Sequence, residues 1–262
     1  MYRIGIDVGG TFTDLVAIDA GGATVLAKMP STPVDPSIGV LDGLQLLANT
    51  LGLELAALLT ETDRIVLGTT VATNALLEHK GARVGLLTTE GHRDVVEMRE
   101  GLKDDRYNLR LPPPEQLVPR RLRLGVRERV RPDGRIETPL DAASLDRAIE
   151  VLQGERVEAV AVCYLHAWRD PSHEHASRDA VRRGLPRAYI SLSSEVLPQI
   201  KEFERVSTTI VNAYVGPALS RYLEQNTGRA VRYEMQRVGE VTMVFADIGT
   251  MVQDAFALHG NI

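Results

Sequence analysis

The first thirty residues constrain the fold most, because three short apolar runs follow one another with only turns between them. The runs cover residues 2–8, 15–18 and 24–29, and Asp19-Ala20-Gly21-Gly22 forms the turn before the third. This spacing predicts an antiparallel β-meander. A dinucleotide-binding fold opens with strand–helix–strand, so that class does not fit.

Beyond the meander, apolar strand-like segments alternate with segments of helical periodicity, which predicts an α/β domain. The predicted strands are 64–67, 83–88, 158–164 and 189–192; the predicted helices are 37–51, 70–80, 144–154, 173–183 and 204–225, the last interrupted near Gly216-Pro217. Residues 101–140 differ, with three consecutive prolines and five arginines between Arg120 and Arg129. We expect a small inserted subdomain there.

Charge and cysteine content narrow the classes of partner and compartment. A net charge of -5 provides no basic surface, so neither nucleic acid nor an anionic membrane is an expected partner. Cys163 is the only cysteine, which rules out an internal disulfide and fits a reducing compartment. The sequence runs directly into a strand without a signal-peptide pattern, and its apolar runs are too short to cross a bilayer. We expect a cytoplasmic protein.

The turn after the first strand carries the most informative chemistry. A carboxylate at a strand end, here Asp7, can hold a hydrated magnesium ion. Gly9 and Gly10 leave backbone N–H groups open to an approaching phosphate, and Thr11 and Thr13 add hydroxyl donors. The pattern is not a Walker motif, because no Gly-Lys-Ser/Thr follows. A bare Gly-Gly pair is ordinary hairpin chemistry, but the whole run between two apolar strands is far more specific.

The run Asp7-Val8-Gly9-Gly10-Thr11-Phe12-Thr13-Asp14 resembles the first phosphate-binding turn of the actin/Hsp70/sugar-kinase superfamily. Within it, the sequence resembles the hydantoinase/oxoprolinase family. The resemblance extends through residues 68–78, 86–94, 159–166, 191–196 and 202–214, and its order and spacing hold from about Tyr2 to Glu224.

The resemblance implies a ribonuclease H-like, actin-like ATPase fold over residues 1–225, with a mixed sheet flanked by helices. It implies ATP and Mg²⁺ as cofactors: Asp7 helps to place magnesium, and Gly9, Gly10, Thr11 and Thr13 cradle phosphate. Asp14 either supports the turn or holds a water in the outer coordination sphere. The implied activity is ATP-dependent opening of a hydantoin, 5-oxoproline or lactam ring. A partner subunit of the hydantoinase B type, or self-association, is also implied.

Two other functions remain open. A ketone carboxylase subunit, acting on acetone or acetophenone, shares the same turn. A non-catalytic remnant or regulatory ATP-binding module is favoured by residues 226–262, where the resemblance ends and where we expect a divergent or truncated tail. Within that tail, Asp247-Ile248-Gly249-Thr250 weakly resembles a second phosphate turn, and we interpret it as a simple turn.

A second group of candidate ligands precedes and begins a predicted helix. Thr69 and Thr70 either cap this helix or face phosphate or substrate, and Asn74 lies one turn further on the same face. His173-Glu174-His175 lacks metal-ligand spacing and is interpreted as a solvated helix start. Cys163 is interpreted as core packing.

Overall fold

The structure, a computed structural model, describes residues 1–32, 35–99, 101, 107–108, 110, 115–226 and 240–245. The described residues within 1–80 and 218–245 form one compact unit, and those within 81–217 form a second. The strands are β1 Tyr2–Val8, β2 Phe12–Asp19, β3 Thr24–Pro30, β4 Thr62–Thr69, β5 Val84–Thr89, β6 Arg123–Val126, β7 Arg129–Val130, β8 Ile136–Thr138, β9 Ala159–Cys163, β10 Tyr189–Leu192 and β11 Glu240–Phe245. The helices are α1 Pro36–Leu51, α2 Leu55–Thr60, α3 Val71–Leu77, α4 Val95–Met98, α5 Ala142–Gly154, α6 Ser172–Gly184, α7 Ser193–Val196 and α8 Glu202–Asn226.

The first unit is built on a mixed sheet whose described strands run in the order β11-β4-β1-β2-β3. The meander predicted from the sequence is confirmed: β1, β2 and β3 pair antiparallel, while β4 lies parallel to β1 and β11 parallel to β4. Alternating side chains bury one face of the sheet, including Ile4, Ile6 and Leu15, against Leu44 and Leu47 of α1. The carboxyl ends of β1 and β4 therefore share one edge.

The capping groups of α1 explain where this helix begins and ends. The carboxylate of Asp35 accepts a hydrogen bond from the N–H of Ser37, and Pro36 occupies the first turn. Gly52 ends the helix in the left-handed conformation, with φ 69°. Both signals are local in the sequence, and the predicted helix 37–51 matches α1 closely.

The second unit contains a parallel sheet in the order β10-β9-β5-β6 and a separate β7–β8 hairpin. Both central strands, β5 and β9, are buried along their whole length, as expected for a parallel sheet covered on both faces. The segment predicted as an insertion supplies β6 to this sheet, paired with β5. Its β7–β8 hairpin is the part that stands apart from the sheet.

Several elements differ from the sequence predictions. Helix α8 continues through Pro217 rather than breaking there, although a proline inside a helix removes one backbone hydrogen bond. Within the tail, residues 240–245 form β11, whereas Asp247-Ile248-Gly249-Thr250 lies outside the described residues. Among the described residues, no helix has the length and apolar character needed to cross a membrane.

The predicted solvated start of α6 is wrong. His173 is buried, and its Nδ1 lies 2.8 Å from Oε2 of the buried Glu128. Glu174 is fully buried and accepts hydrogen bonds from the backbone N–H groups of Tyr164 and Ser194. These partners lie at least ten residues away along the chain, so the local polar pattern could not show them. Cys163 is buried in the core, as predicted.

Candidate functional site

The β1–β2 turn presents two backbone donors at its surface. The N–H of Gly9 is used within the hairpin, donating to the carbonyl of Phe12 at 3.0 Å. Gly10 and Thr11 are exposed, and their N–H groups make no hydrogen bond to any described residue. Adjacent free N–H groups at a turn form the kind of concavity that binds anions. Gly9 therefore closes the hairpin, and the backbone N–H groups of Gly10 and Thr11 are left available to a ligand.

Two exposed carboxylates lie directly opposite each other below this turn. Asp7 of β1 pairs in register with Asp14 of β2, which in turn pairs with Lys28 of β3. The Lys28 Nζ lies 2.7 Å from Oδ1 of Asp14 and 4.6 Å from the centroid of the Phe12 ring. This partly exposed ion pair stabilises the fold by at most about 1 kcal/mol. It nevertheless occupies Asp14, while Asp7 has no ion pair among the described residues.

Gly68 keeps the other side of Asp7 open. On β4 it is the register partner of Asp7, and a Cβ atom at this position would lie 3.9 Å from Oδ1 of Asp7. A longer side chain at position 68 would extend over the carboxylate. The glycine therefore leaves room for a hydrated cation beside Asp7.

The candidate residues at the start of α3 lie beside the turn. The side-chain Nδ2 of Asn74 donates to the hydroxyl of Thr70 at 3.1 Å. A Cβ atom placed on Gly10 would come within 3.3 Å of this same nitrogen. The hydroxyl of Thr69 donates to the Val8 carbonyl at 3.3 Å, and so connects the ends of β4 and β1. The structure thus brings Thr70 and Asn74 to the turn and gives Thr69 a bracing contact.

Thr13 lies beneath the turn rather than at its surface. It is 1% exposed, and its hydroxyl is 3.1 Å from that of Ser31. Ser31 also donates its hydroxyl to the Gly9 carbonyl at 2.7 Å and its N–H to the Thr11 carbonyl at 2.9 Å. The expected contribution of Thr13 therefore changes from a phosphate donor to support of the turn. Sequence reasoning missed Ser31, whose only signal was its place directly after the third strand.

A second residue missed by sequence reasoning is Tyr222, which is buried in the core of the first unit. Burial raises the pKa of its phenol; the Thr69 hydroxyl opposes this shift, and the negative charge of Asp7 adds to it. Thr69 and Asp7 therefore both influence this phenol. Nothing in the local sequence around Tyr222 indicates this influence.

The protein groups around the turn suit a metal ion whose ligands are mainly waters and phosphates rather than side chains. Within the part of the chain that the structure describes, no cluster of three or more His, Cys, Asp or Glu side chains could chelate an ion. Mg²⁺ commonly keeps several waters and binds through one or two carboxylates together with substrate phosphates. The carboxylate of Asp7, which has no ion pair among the described residues, together with the turn amides is compatible with that mode.

Comparison with known proteins decides the family. Residues 3–185 match the family model described as the hydantoinase/oxoprolinase N-terminal region. The chain belongs to the hydantoinase/oxoprolinase family. It is 44% identical over 226 residues to the caprolactamase subunit alpha of Pseudomonas jessenii, covering 86% of this chain and 32% of that protein. It is 36% identical over 238 residues to the acetophenone carboxylase gamma subunit of Aromatoleum aromaticum, covering 86% of this chain and 32% of that protein.

A solved structure shows the same fold. The crystal structure of the ATP-dependent caprolactamase from Pseudomonas jessenii superposes with a TM-score of 0.79 at 41% identity, covering 93% of this chain and 35% of the other. The predicted fold class, an α/β ribonuclease H-like and actin-like ATPase domain, is thereby confirmed. The chain spans about a third of the length of the relatives that it matches.

Proposed function

We propose that this hydantoinase/oxoprolinase family member binds Mg-ATP at the β1–β2 turn and forms the N-terminal ATP-binding portion of an enzyme that opens cyclic amides. One observation carries the proposal: among the described residues, the N–H groups of Gly10 and Thr11 make no hydrogen bond, and the carboxylate of Asp7, at the end of the strand that leads into the same turn, has no ion pair. The 44% identity to a caprolactamase subunit favours a lactam or a related cyclic amide as the substrate.

Each residue of the turn has a distinct role in this proposal. Gly10 and Thr11 donate backbone N–H groups to phosphate oxygens, and Asp7 accepts from a magnesium-bound water. Asn74 has a side-chain amide beside Gly10 that can offer a further donor, since its bond to Thr70 uses only one of its two N–H groups. Lys28 pairs with Asp14 and so offsets its negative charge near the phosphates.

A phosphoryl group transferred from bound ATP to the amide oxygen would make the amide carbon a competent electrophile, so that water adds there, the ring C–N bond breaks, and phosphate is released by hydrolysis of the resulting acyl phosphate. In phosphoryl transfer the protein mainly positions groups and offsets charge, and the turn residues are suited to both tasks. The relatives are named as enzyme subunits. A partner subunit of the hydantoinase B type, or a second copy of this chain, would therefore complete the enzyme.

A ketone carboxylase subunit is the second candidate, because the chain is 36% identical to an acetophenone carboxylase subunit. The turn serves both reactions, since phosphorylation of an enolate oxygen needs the same phosphate and magnesium contacts. The choice between hydrolase and carboxylase therefore depends on the substrate that stimulates ATP consumption.

The test is an ATPase assay of the chain with a co-expressed candidate partner subunit, in the presence of caprolactam, 5-oxoproline, hydantoin, or acetone with bicarbonate. Stimulation by a cyclic amide, lost in Asp7→Asn and kept in the exposed Asp42→Asn control, supports the hydrolase. Stimulation only by acetone with bicarbonate would instead support the carboxylase as the function of this chain. Nucleotide binding without any stimulated turnover would favour a non-catalytic ATP-binding module.

A further inference from the structure

The peptide group between Gly9 and Gly10 sets the direction of one of the two free amides of the β1–β2 turn. A trans peptide is planar, so its C=O and N–H groups point in opposite directions. The Gly9 carbonyl and the Gly10 N–H belong to the same peptide group, and fixing one therefore fixes the other. The Gly9 carbonyl accepts a hydrogen bond from the Ser31 hydroxyl at 2.7 Å. The N–H of Gly10 consequently points away from Ser31.

The two glycines leave this peptide group with little local restraint. Rotation of a peptide plane changes ψ of the residue before it and φ of the residue after it, and glycine accepts a far wider range of both angles than other residues do. Position 9 requires glycine, because a Cβ atom there would lie 3.0 Å from the carbonyl oxygen of Phe12. The orientation of the peptide therefore depends on its hydrogen bond to Ser31 rather than on backbone sterics.

Ser31 is itself held by two further contacts. Its N–H donates to the Thr11 carbonyl at 2.9 Å, which continues the pairing of β2 with β3 beyond Pro30. Its hydroxyl lies 3.1 Å from the hydroxyl of Thr13, which is buried. Ser31 has a single hydroxyl proton, and because this proton is donated to Gly9, the Thr13 hydroxyl is the donor to Ser31. The Oγ of Ser31 is thereby oriented toward the turn.

We propose that Ser31 is a positioning residue of the β1–β2 turn, which holds the Gly9–Gly10 peptide so that the Gly10 N–H is directed to a phosphate oxygen of ATP. This inference rests on the proposed function of the turn and adds a residue to it. Without the Ser31 hydroxyl the peptide can rotate, and the Gly9 carbonyl oxygen then replaces the amide at the surface. A carbonyl oxygen repels phosphate, so the rotation removes a donor and adds an unfavourable contact.

Calorimetric titration of the full chain with ATP, with and without Mg²⁺, tests this role in Ser31→Ala. We expect ATP binding to weaken at least about tenfold, as for the loss of one hydrogen bond to a charged group. The factor should be the same with and without the metal, because Ser31 acts through an amide and not through the cation. Ser31→Thr keeps the hydroxyl and should restore most of the affinity. The control Thr24→Ala removes an exposed hydroxyl at the other end of β3 and should bind ATP as the wild type does.

Amide proton shifts separate positioning of one amide from general support of the turn. At saturating ATP, we expect the N–H protons of Gly10 and Thr11 to move downfield in the wild type, because both donate to phosphate. In Ser31→Ala the shift of Thr11 should persist while that of Gly10 is lost. If Ser31→Ala does not fold, Thr13→Val removes the donor to Ser31 but keeps the side-chain shape, and should weaken ATP binding about threefold with the same selective effect on Gly10.

The outcomes distinguish the role of Ser31 from the proposed function. If the wild type binds ATP and folded Ser31→Ala binds it equally well, the role of Ser31 is overturned while the proposed function stands. Equal loss of the Gly10 and Thr11 shifts in Ser31→Ala would also overturn it, since Ser31 would then stabilise the turn as a whole. If the folded wild type binds no ATP, the proposed function fails and the role of Ser31 fails with it.

Discussion

Replacing Glu174 by alanine should strongly destabilise the second unit. The carboxylate is fully buried and accepts from the N–H of Tyr164 at 3.1 Å, the N–H of Ser194 at 2.9 Å and the Ser193 hydroxyl at 2.5 Å. In Glu174→Ala the two backbone N–H groups lose their acceptor, whereas the Ser193 hydroxyl can rotate.

The magnitude follows from these orphaned donors. Each buried N–H left without a partner costs about 1–3 kcal/mol. Removing a buried carboxylate also relieves its desolvation, which offsets part of this loss. We therefore expect the free energy of unfolding to fall by about 2–4 kcal/mol, a large share of the roughly 5–15 kcal/mol typical of a folded domain.

Urea denaturation followed by fluorescence measures this loss in the relevant unit, because Trp168 is the only tryptophan of the chain. Glu195→Ala is the matched control: its exposed carboxylate pairs with Arg178 at 2.6 Å and should contribute no more than about 1 kcal/mol. A loss for Glu174→Ala that equals the loss for Glu195→Ala would refute the reasoning that the buried acceptor holds this cluster together.

Three further predictions concern the same unit. Burial raises the pKa of the Cys163 thiol to about 11, so its alkylation by iodoacetamide at pH 8 should be at least about 100-fold slower than in the urea-unfolded chain, and comparable rates would contradict this. Gly81→Ala places a Cβ atom 2.1 Å from the Tyr214 ring and should cost about 1–3 kcal/mol in denaturation, while Gly154→Ala meets no atom within 4 Å and should be neutral or stabilising. Because burial raises the folded-state pKa of Glu174, the contribution of this residue to stability is greatest below its unfolded pKa and falls as pH rises through its folded pKa. Glu174→Gln should remove this decline from the pH dependence of the free energy of unfolding. The same decline in Glu174→Gln as in the wild type would exclude Glu174 as its source.

The parts of the fold that could be predicted from sequence are those encoded locally. The meander and helix α1 follow from the spacing of apolar residues and from capping residues within a few positions. The turn with Asp7, Gly10 and Thr11 could be predicted because it lies within one continuous run. The burial of Thr13 could not be predicted in the same way. Strand alternation shows that its side chain lies on the opposite face of the sheet from Phe12 and Asp14, but not which face is buried.

Contacts between distant segments account for most of what the sequence did not show. Ser31 supports the turn across 22 residues, and the pKa of Tyr222 on α8 is affected by Thr69 and Asp7 near the other end of the chain. Likewise, the polar residues of α6 are buried because Glu128, the loop after β9 and helix α7 supply their partners. A polar pattern predicts solvent exposure only when no such partner exists.

The most direct test of the central claim is calorimetric titration of this chain with ATP, with and without Mg²⁺, for the wild type, Asp7→Asn and the control Asp42→Asn. The account predicts that Asp7→Asn weakens Mg-ATP binding at least about tenfold and does not weaken binding of metal-free ATP, since the carboxylate acts through the cation. Asp42→Asn should behave as the wild type. Absence of Mg-ATP binding by the folded wild-type chain, or an equal loss with and without magnesium in Asp7→Asn, would contradict the assignment of the turn.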